Sequence, residues 1–371
     1  MNFDFPDELK QLRAEARRFL ADRCPPAVAR RALEGAPPDR GLWSELAAMG
    51  WIGAALPERH GGAGLGQLAL CVLSEELGRS LAPLPWASSV CLAGEALSAF
   101  GSPAQQAHWL PRLAAGEVVA TLALAAGPGP FDPARLGGAV SAGRITASRV
   151  AVADAATADL LLVAAPGPGS WLWLVARDAR GVRVQPTEGI DPTRPIARVE
   201  LHDAPAEPLP GAADAADLRR LIDRAAVLAA FEQLGTAEAA LTMATDYARE
   251  RYAFGRPIGS FQAIKHKLAD VYVAVELARS NAYYGAWALE ADSTELPVAA
   301  AVARIAGCEA GWIATRENIQ THGGMGFTWA SDCHLYYRRA RAQALALGPA
   351  REWKHRLIDL LATRNRPDRP E

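Results

Sequence analysis

The stretch Arg251-Tyr-Ala-Phe254-Gly255-Arg256-Pro257-Ile258-Gly-Ser-Phe261-Gln262-Ala-Ile264-Lys-His-Lys267-Leu-Ala-Asp270 decides how the whole chain is read. Gly255 and Pro257 force a turn, because one frees φ and the other fixes it. Before the turn runs a long helical pattern, with Leu221, Leu228, Phe231, Leu234, Leu241 and Tyr247 among so many alanines that the helix must be buried on most sides. After it, Ile264, Leu268, Val271, Val275 and Ala278 fall on one stripe of a second helix. The turn itself reads in two ways. It is either an interhelical corner with Phe254 and Phe261 as core plugs and Arg251 in solvent, or a ligand-facing loop that offers Arg251 to a phosphate and Gln262 to a polar ring edge.

Working outward, Pro297 starts a third helix, and Trp353, Leu357 and Leu360 mark a fourth. Four long helices in this order predict an antiparallel bundle. The third is followed by a second polar turn, Gln320-Thr-His322-Gly323-Gly324-Met-Gly326-Phe327-Thr-Trp329. Consecutive glycines permit positive φ and let a ligand approach backbone N–H donors closely; the alternative is a plain helix C-cap with a long linker.

Upstream, short apolar runs punctuated by Gly and Pro read as strands: Val118 to Ala126, Ile145 to Val152, Leu160 to Ala165, Trp171 to Val175 and Ile196 to Leu201. The first third is helical. Pro6 suits a first helical turn, Asp39 precedes an apolar-periodic segment that Gly50 closes, and Ser102, Pro103 and Gln105 make a capping-box start. The expectation is an α+β chain: an N-terminal helical domain over residues 1–116, a small, mostly antiparallel β domain over 117–210, and a four-helix bundle over 211–371. Strands grouped in the middle, without βαβ alternation, argue against a Rossmann enzyme. His60-Gly-Gly62-Ala-Gly64-Leu-Gly66 is a glycine loop before a helix, but no strand precedes it, so it is a poor dinucleotide fingerprint.

The two polar turns, taken in register, resemble the C-terminal domain of acyl-CoA dehydrogenases, whose signature runs Arg-x-x-Phe-Gly-x-x-x-x-x-x-Gln and, about sixty residues later, Gln-x-x-Gly-Gly-x-Gly. The order helical, β, helical matches that family over almost the whole chain. The resemblance implies FAD as cofactor, with Arg251, Phe254 and Gln262 contacting the FAD of a neighbouring subunit and Gln320, Gly323 and Gly324 closing over its adenosine end. It also implies an oligomer, a homo- or heterotetramer with another acyl-CoA dehydrogenase subunit. The reaction it implies is α,β-dehydrogenation of an acyl-CoA thioester. That chemistry needs hydrogen bonds to the thioester carbonyl, a base for the Cα proton and a flavin to take hydride from Cβ.

Against that pattern the chain departs in three places. The family's glutamate base lies in a Tyr-Glu-Gly-Thr stretch; here the match is Ala346, Leu347, Gly348 and Pro349, so Leu347 holds the base position. Some members carry the base early in the first bundle helix, near Ala225 here, and the nearest acid is Glu232, two helical turns on along the same stripe. Glu232 reads either as a buried base or as a structural, hydrogen-bonded carboxylate. In the β domain, Ala125-Ala126-Gly127-Pro128-Gly129-Pro130-Phe131-Asp132 replaces a Thr-Glu-Pro-x-x-Gly-Ser-Asp stretch that packs the flavin, and Arg149 or Val150 stands where a tryptophan shields it. The chain is thus similar to the base-lacking partner in heterotetrameric bacterial steroid-side-chain acyl-CoA dehydrogenases. A homotetramer using Glu232, or a flavin-free scaffold or binding protein that kept the fold, are the alternatives.

Composition sets the outer limits. With 371 residues, half of them hydrophobic, 22% charged and a net charge of -2, the chain has the profile of an ordinary globular protein and not of an electrostatic nucleic-acid binder. The start Met1, Asn2, Phe3, Asp4 lacks signal-peptide character and no stretch reads as long and apolar enough to cross a bilayer, so the expected location is cytoplasmic. Cys24, Cys71, Cys91, Cys308 and Cys333 are scattered and odd in number, which suggests neither disulfides nor zinc. His334, Tyr336, Arg338 and Arg339 are expected at an interface or against CoA phosphates, and Trp171, Trp173 and the alanine-rich helices leave room for a bulky substrate.

Overall fold

A computed structural model describes residues 5–127 and 131–364. Helices α1 (Asp7–Arg23), α2 (Pro26–Leu33), α3 (Arg40–Ala48), α4 (Gly66–Arg79), α5 (Glu95–Phe100) and α6 (Pro103–Ala114) come first, with a fully wound π-helical stretch at Trp86–Gly94. Strands β1 (Ala120–Ala123), β2 (Ala139–Ser141), β3 (Arg144–Ala153), β4 (Leu160–Gly167), β5 (Ser170–Ala176), β6 (Val182–Thr187), β7 (Ile196–Pro205) and β8 (Glu207–Pro208) follow. Then come α7 (Ala215–Glu250), the tiny hairpin β9 (Tyr252–Ala253) and β10 (Arg256–Pro257), α8 (Gln262–Glu290), α9 (Leu296–His322), α10 (Cys333–Ala346) and α11 (Ala350–Arg364).

This is the α+β arrangement expected, with additions. Helix α10 was not legible, because its buried face carries Arg339 and Gln343 beside Leu335 and Tyr336, which blurs the apolar period. Strand β6 escaped notice because none of its residues is fully buried, as befits the edge of its sheet. The helix starts behave as the sequence dictates. Asp39 accepts from the Leu42 N–H at 2.9 Å, and Ser102 and Gln105 close both bonds of a capping box.

Contacts divide the chain into two compact units. The first gathers residues 27–70 and 83–225. Its β-sandwich has one sheet in the order β1-β4-β5-β8 and another in the order β2-β3-β7-β6. Among the described residues only β1 and β4 pair parallel, Ala120 with Leu160 through Ala123 with Val163; the other pairings are antiparallel. Strand β4 explains the run Leu160 to Ala165. Leu160, Leu162 and Ala164 face a core shared with α5, α6 and the start of α7, while Leu161, Val163 and Ala165 face Ile145, Val199 and Leu201 of the second sheet. A strand buried on both faces loses the polar alternation of a half-exposed one. Trp173 belongs to this second core and donates its indole N–H to the Ala165 carbonyl at 2.9 Å, so it is a packed core residue.

The second unit gathers residues 5–26, 71–82 and 226–364. Here α4 crosses α7 through glycines on both sides. A Cβ on Gly235 would stand 1.8 Å from the Glu75 carbonyl oxygen, and one on Gly78 would stand 2.0 Å from that of Glu232. Around the crossing runs a network of ion pairs. Arg13 and Arg279 hold Glu75 at 3.1 and 2.8 Å, Arg17 and Arg79 hold Glu76 at 2.8 and 3.2 Å, and Arg79 and Arg279 share Glu238 at 2.6 and 2.7 Å. Buried carboxylates demand this many partners, since an unpaired charge would be costly to desolvate.

Burial alone would push the Glu238 carboxyl up, but the charges and hydrogen bonds of Arg79 and then Arg279 outweigh it and hold the group down at about 2. A carboxyl held low in the folded state stabilises above its ordinary pKa and loses that contribution as pH falls. Stability should therefore drop by about 2 kcal/mol between pH 6 and pH 3 on this account, and Glu238→Gln should flatten that part of the profile. Urea midpoints across the range read the effect; an unchanged slope in Glu238→Gln would assign the acid sensitivity elsewhere.

Helix α9 corrects one expectation. Over Leu296–Phe327 an apolar window of mean hydropathy 1.3 is long enough to cross a membrane, yet 56% of it is buried inside the protein. Small residues on several sides, among them Ala299, Ala300, Ala303, Gly307, Ala310, Gly311 and Ala314, let α9 pack as the central helix of this unit.

Candidate functional site

In the second unit, the C-terminal ends of α7 and α9 and the N-terminus of α8 carry both polar turns. Helix α7 stops at Glu250, and the chain reverses in the β9–β10 hairpin with Phe254 at φ 53° and Gly255 at φ 77°. Two successive positive φ angles make a primed hairpin turn, which glycine tolerates and phenylalanine rarely adopts. The Arg251 carbonyl accepts from the Ile258 N–H at 2.8 Å, which fixes the turn to the end of α7.

Neither aromatic plugs a core. Phe254 is 95% exposed, and Phe261, half-buried, meets it edge-on at 6.2 Å while the Arg256 guanidinium lies over its face at 4.0 Å. Of the two readings of this turn, the interhelical corner with core plugs does not hold for Phe254. Arg251, Gln262 and Gln320 are all exposed, and among the described residues none of their side chains has a hydrogen-bond or ion-pair partner.

The second turn begins where α9 ends. Gly323 has φ 59° and ψ -138°, a conformation reserved for glycine, and a Cβ on either Gly323 or Gly324 would meet nothing within 4 Å. Gly326 is the tight member, where a Cβ would stand 2.5 Å from the Ile319 carbonyl oxygen. Met325 and Phe327 stand 58% and 80% exposed beside it. The two turns are physically joined: Tyr247, near the end of α7, stacks on His322 at 4.1 Å and 23°, and Lys267 of α8 lies 3.7 Å from Glu317 of α9. The sequence reading missed that join, although both rings stood in segments it had singled out.

The candidate base positions are placed as follows. Leu347 caps the end of α10 and its carbonyl accepts from the Trp353 indole at 2.9 Å. Ala225 is buried and apolar. Glu232, 4% exposed, has the Arg339 guanidinium 3.8 Å away, and that guanidinium also donates to the Leu81 and Ala82 carbonyls. Arg339 and Tyr336 are therefore core residues of the second unit, which corrects their expected place at an interface or against CoA phosphates. His334 stacks on Trp329 at 4.8 Å, and among the described residues no group of His, Cys, Asp and Glu is arranged to hold a metal.

In the first unit, Ala125, Ala126, Gly127, Phe131 and Asp132 line a cavity of about 180 Å³ at the end of β1 together with Leu124, Arg135 and Leu136. Pro128, Gly129 and Pro130 of the same segment lie outside the described residues. Arg149 turns inward, 1% exposed, and donates to the carbonyls of Ala164, Ser148 and Gly137. Desolvation holds its guanidinium down at about 10. A guanidinium spent on backbone carbonyls inside the sandwich presents no aromatic face to a ligand.

Comparison with known proteins settles the family. Residues 6–117 match the family described as acyl-CoA dehydrogenase, N-terminal domain, and residues 217–353 match acyl-CoA dehydrogenase, C-terminal domain. The chain belongs to the acyl-CoA dehydrogenase family. It is 37% identical to the acyl-CoA dehydrogenase IpdE2 of Mycobacterium tuberculosis over 361 residues, which cover 95% of this chain and 96% of that protein. Among solved structures it is similar to a chain of a Tcur3481-Tcur3483 steroid ACAD variant, with a TM-score of 0.86, 34% identity, and 96% of this chain and 98% of that chain covered. The ChsE4-ChsE5 complex from Mycobacterium tuberculosis gives a TM-score of 0.88 at 29% identity over 100% of both chains.

FAD is the cofactor of acyl-CoA dehydrogenases, and this chain's own surface can be tested against it. At the second unit the fit is good: an exposed guanidinium with no partner among the described residues suits a phosphate, two exposed amides suit polar ring or ribose edges, and open space beside Gly323 and Gly324 admits close approach. In the first unit it is poor, because Arg149 is committed inward.

Proposed function

We propose that this chain is a base-lacking subunit of a hetero-oligomeric acyl-CoA dehydrogenase, a tetramer in which Arg251, Phe254, Gln262, Gln320, Gly323 and Gly324 complete the FAD site of a catalytic partner. The observation that carries the reading is the exposure of Arg251, Phe254, Gln262, Met325 and Phe327 around two joined turns. Free polar groups interleaved with exposed apolar ones form a surface that another body completes.

The two relatives solved as complexes, the Tcur3481-Tcur3483 steroid ACAD and ChsE4-ChsE5, support assembly with a second dehydrogenase chain, and the first supports a steroid-derived acyl-CoA as substrate. When bound, FAD supplies the hydride acceptor for α,β-dehydrogenation. This chain's residues bind and orient: Arg251 as a phosphate clamp, Gln262 and Gln320 as amide contacts, and the Gly323–Gly324 backbone as the floor of the adenosine end. No proton transfer is assigned to this chain. Leu347 and Ala225 have no ionisable group, and Glu232 is committed to Arg339 inside the bundle.

The visible spectrum of the purified protein tests the reading. The chain alone is expected to be colourless, and flavin bands are expected when it is purified with a second dehydrogenase chain encoded beside it. Flavin bands and dehydrogenase activity in the chain alone would replace this reading with a homomeric enzyme. A colourless mixed complex would favour a flavin-free scaffold of the same fold.

A further inference from the structure

We infer that the outward face of α10, together with Trp312 of α9, docks an acidic segment of the partner dehydrogenase chain. The inference deepens the proposed function and rests on it for the identity of that chain.

Helix α10 has two unlike sides. Leu335, Tyr336, Arg339, Ala340 and Gln343 are buried in the second unit, while Tyr337, Arg338, Arg341 and Leu345 fall on the opposite side of the helix, with Leu345 exposed. Trp312, exposed on α9, completes that side. Its indole meets the Tyr337 ring at 5.8 Å, and the guanidinium groups of Arg341 and Arg316 lie over it at 4.9 and 5.9 Å. Trp329, also exposed, has the Arg338 guanidinium 5.9 Å from its ring.

The positive charge here is poorly balanced. Two guanidinium groups share one indole, which steadies each without neutralising either, and among the described residues Arg341 makes no hydrogen bond or ion pair. Arg316 pairs with Glu317, but that carboxylate is buried and also serves Lys267 at 3.7 Å. Glu309 is closed by Lys354 at 2.6 Å. Asp332 stands at the start of α10, about 13 Å along the axis from Arg341 and beyond a Debye length at physiological salt.

Tryptophan, tyrosine and arginine are the side chains that anchor protein interfaces, and a chain of net charge -2 is a poor nucleic-acid binder. A second copy of this chain in an isologous contact would set the same cations against each other. The exposed Met325, Phe327 and Trp329 lead directly from the second polar turn to this face, so the body that covers the turn extends onto it. Carboxylates on that body are the groups that answer Arg341, Arg316 and Arg338.

The test measures the affinity of the full chain for the dehydrogenase chain encoded beside it, with FAD present, at low and high salt. Reversing one docking charge predicts association about 10- to 100-fold weaker in Arg341→Glu with a shallower salt dependence, while Arg341→Lys stays within about 3-fold of wild type. Urea midpoints of both variants are expected to match the wild type.

Wild-type affinity in Arg341→Glu would overturn the inference. So would a changed oligomeric state of the chain alone with unchanged partner affinity, since that pattern marks a contact between copies. If the wild-type chain does not bind that dehydrogenase chain, the parent reading fails, and a fluorescein-labelled oligoglutamate peptide then decides separately on the chain alone. Salt-sensitive peptide binding that is lost in Arg341→Glu supports an acid-selective face. No binding, binding unaffected by the substitution, or tighter binding of an oligothymidylate overturns it.

Discussion

Gly235→Ala is expected to destabilise the protein strongly, although alanine is the better helix former by about 1 kcal/mol at an ordinary position. Gly235 sits inside α7, and its missing side chain lets α4 approach to the point where a Cβ would stand 1.8 Å from the Glu75 carbonyl oxygen and 2.9 Å from the Arg79 nitrogen. Backbone cannot rotate out of the way as a side chain would. Relief requires the two helices to separate, and separation disturbs the pairs that Arg79, Arg279 and Arg13 make with Glu75, Glu76 and Glu238. Overpacking of this kind costs about 1 to 3 kcal/mol in well-packed cores, and loss of buried ion-pair partners adds to it, so a total of about 4 kcal/mol is expected. Urea midpoints of wild type and variant measure it. A stability equal to or above wild type would mean that the helices have room the geometry does not show.

Arg251→Met should weaken FAD binding by the complex by about one to two orders of magnitude, the worth of a lost charge-assisted hydrogen bond. The chain's own stability should hardly change, because the guanidinium is exposed and has no partner among the described residues. Arg251→Lys keeps the charge and loses the planar fork, so it should recover only part of the affinity. A variant with wild-type FAD affinity would remove Arg251 from the site. A fall in urea midpoint matching the fall in affinity would make its role structural.

Much of the fold is written locally. The capping box at Ser102 and Gln105, the cap at Asp39, the uninterrupted apolar run of β4 and the alanine-rich α7 each depend on neighbours within a few positions, so their elements could be read from the chain. Helix α10 could not, because its inward face carries Arg339 and Gln343, whose burial depends on partners more than a hundred residues away in sequence, Glu232 and Thr236. The candidate site divides the same way. Arg251, Gln262 and the paired glycines Gly323 and Gly324 stood out by residue type, and Phe254 and Gln320 joined them through the resemblance to the family's signature, while the place of Phe254 was open until the turn geometry was known.

By itself the sequence determined the family, the succession of a helical, a β and a second helical region, the two polar turns and the absence of a carboxylate at Leu347. Those are properties of residue identity and short spacing, which survive without a partner. The tertiary structure alone decided that Tyr247 and His322 join the two turns, that Glu232 answers Arg339, that Arg149 turns into the sandwich, and that Gly78 and Gly235 let two helices touch. Apart from the Arg149 contacts, which reach neighbouring strands and turns of the same sandwich, each of these pairs residues distant along the chain, and a pairwise contact between distant residues leaves no periodic trace in either segment.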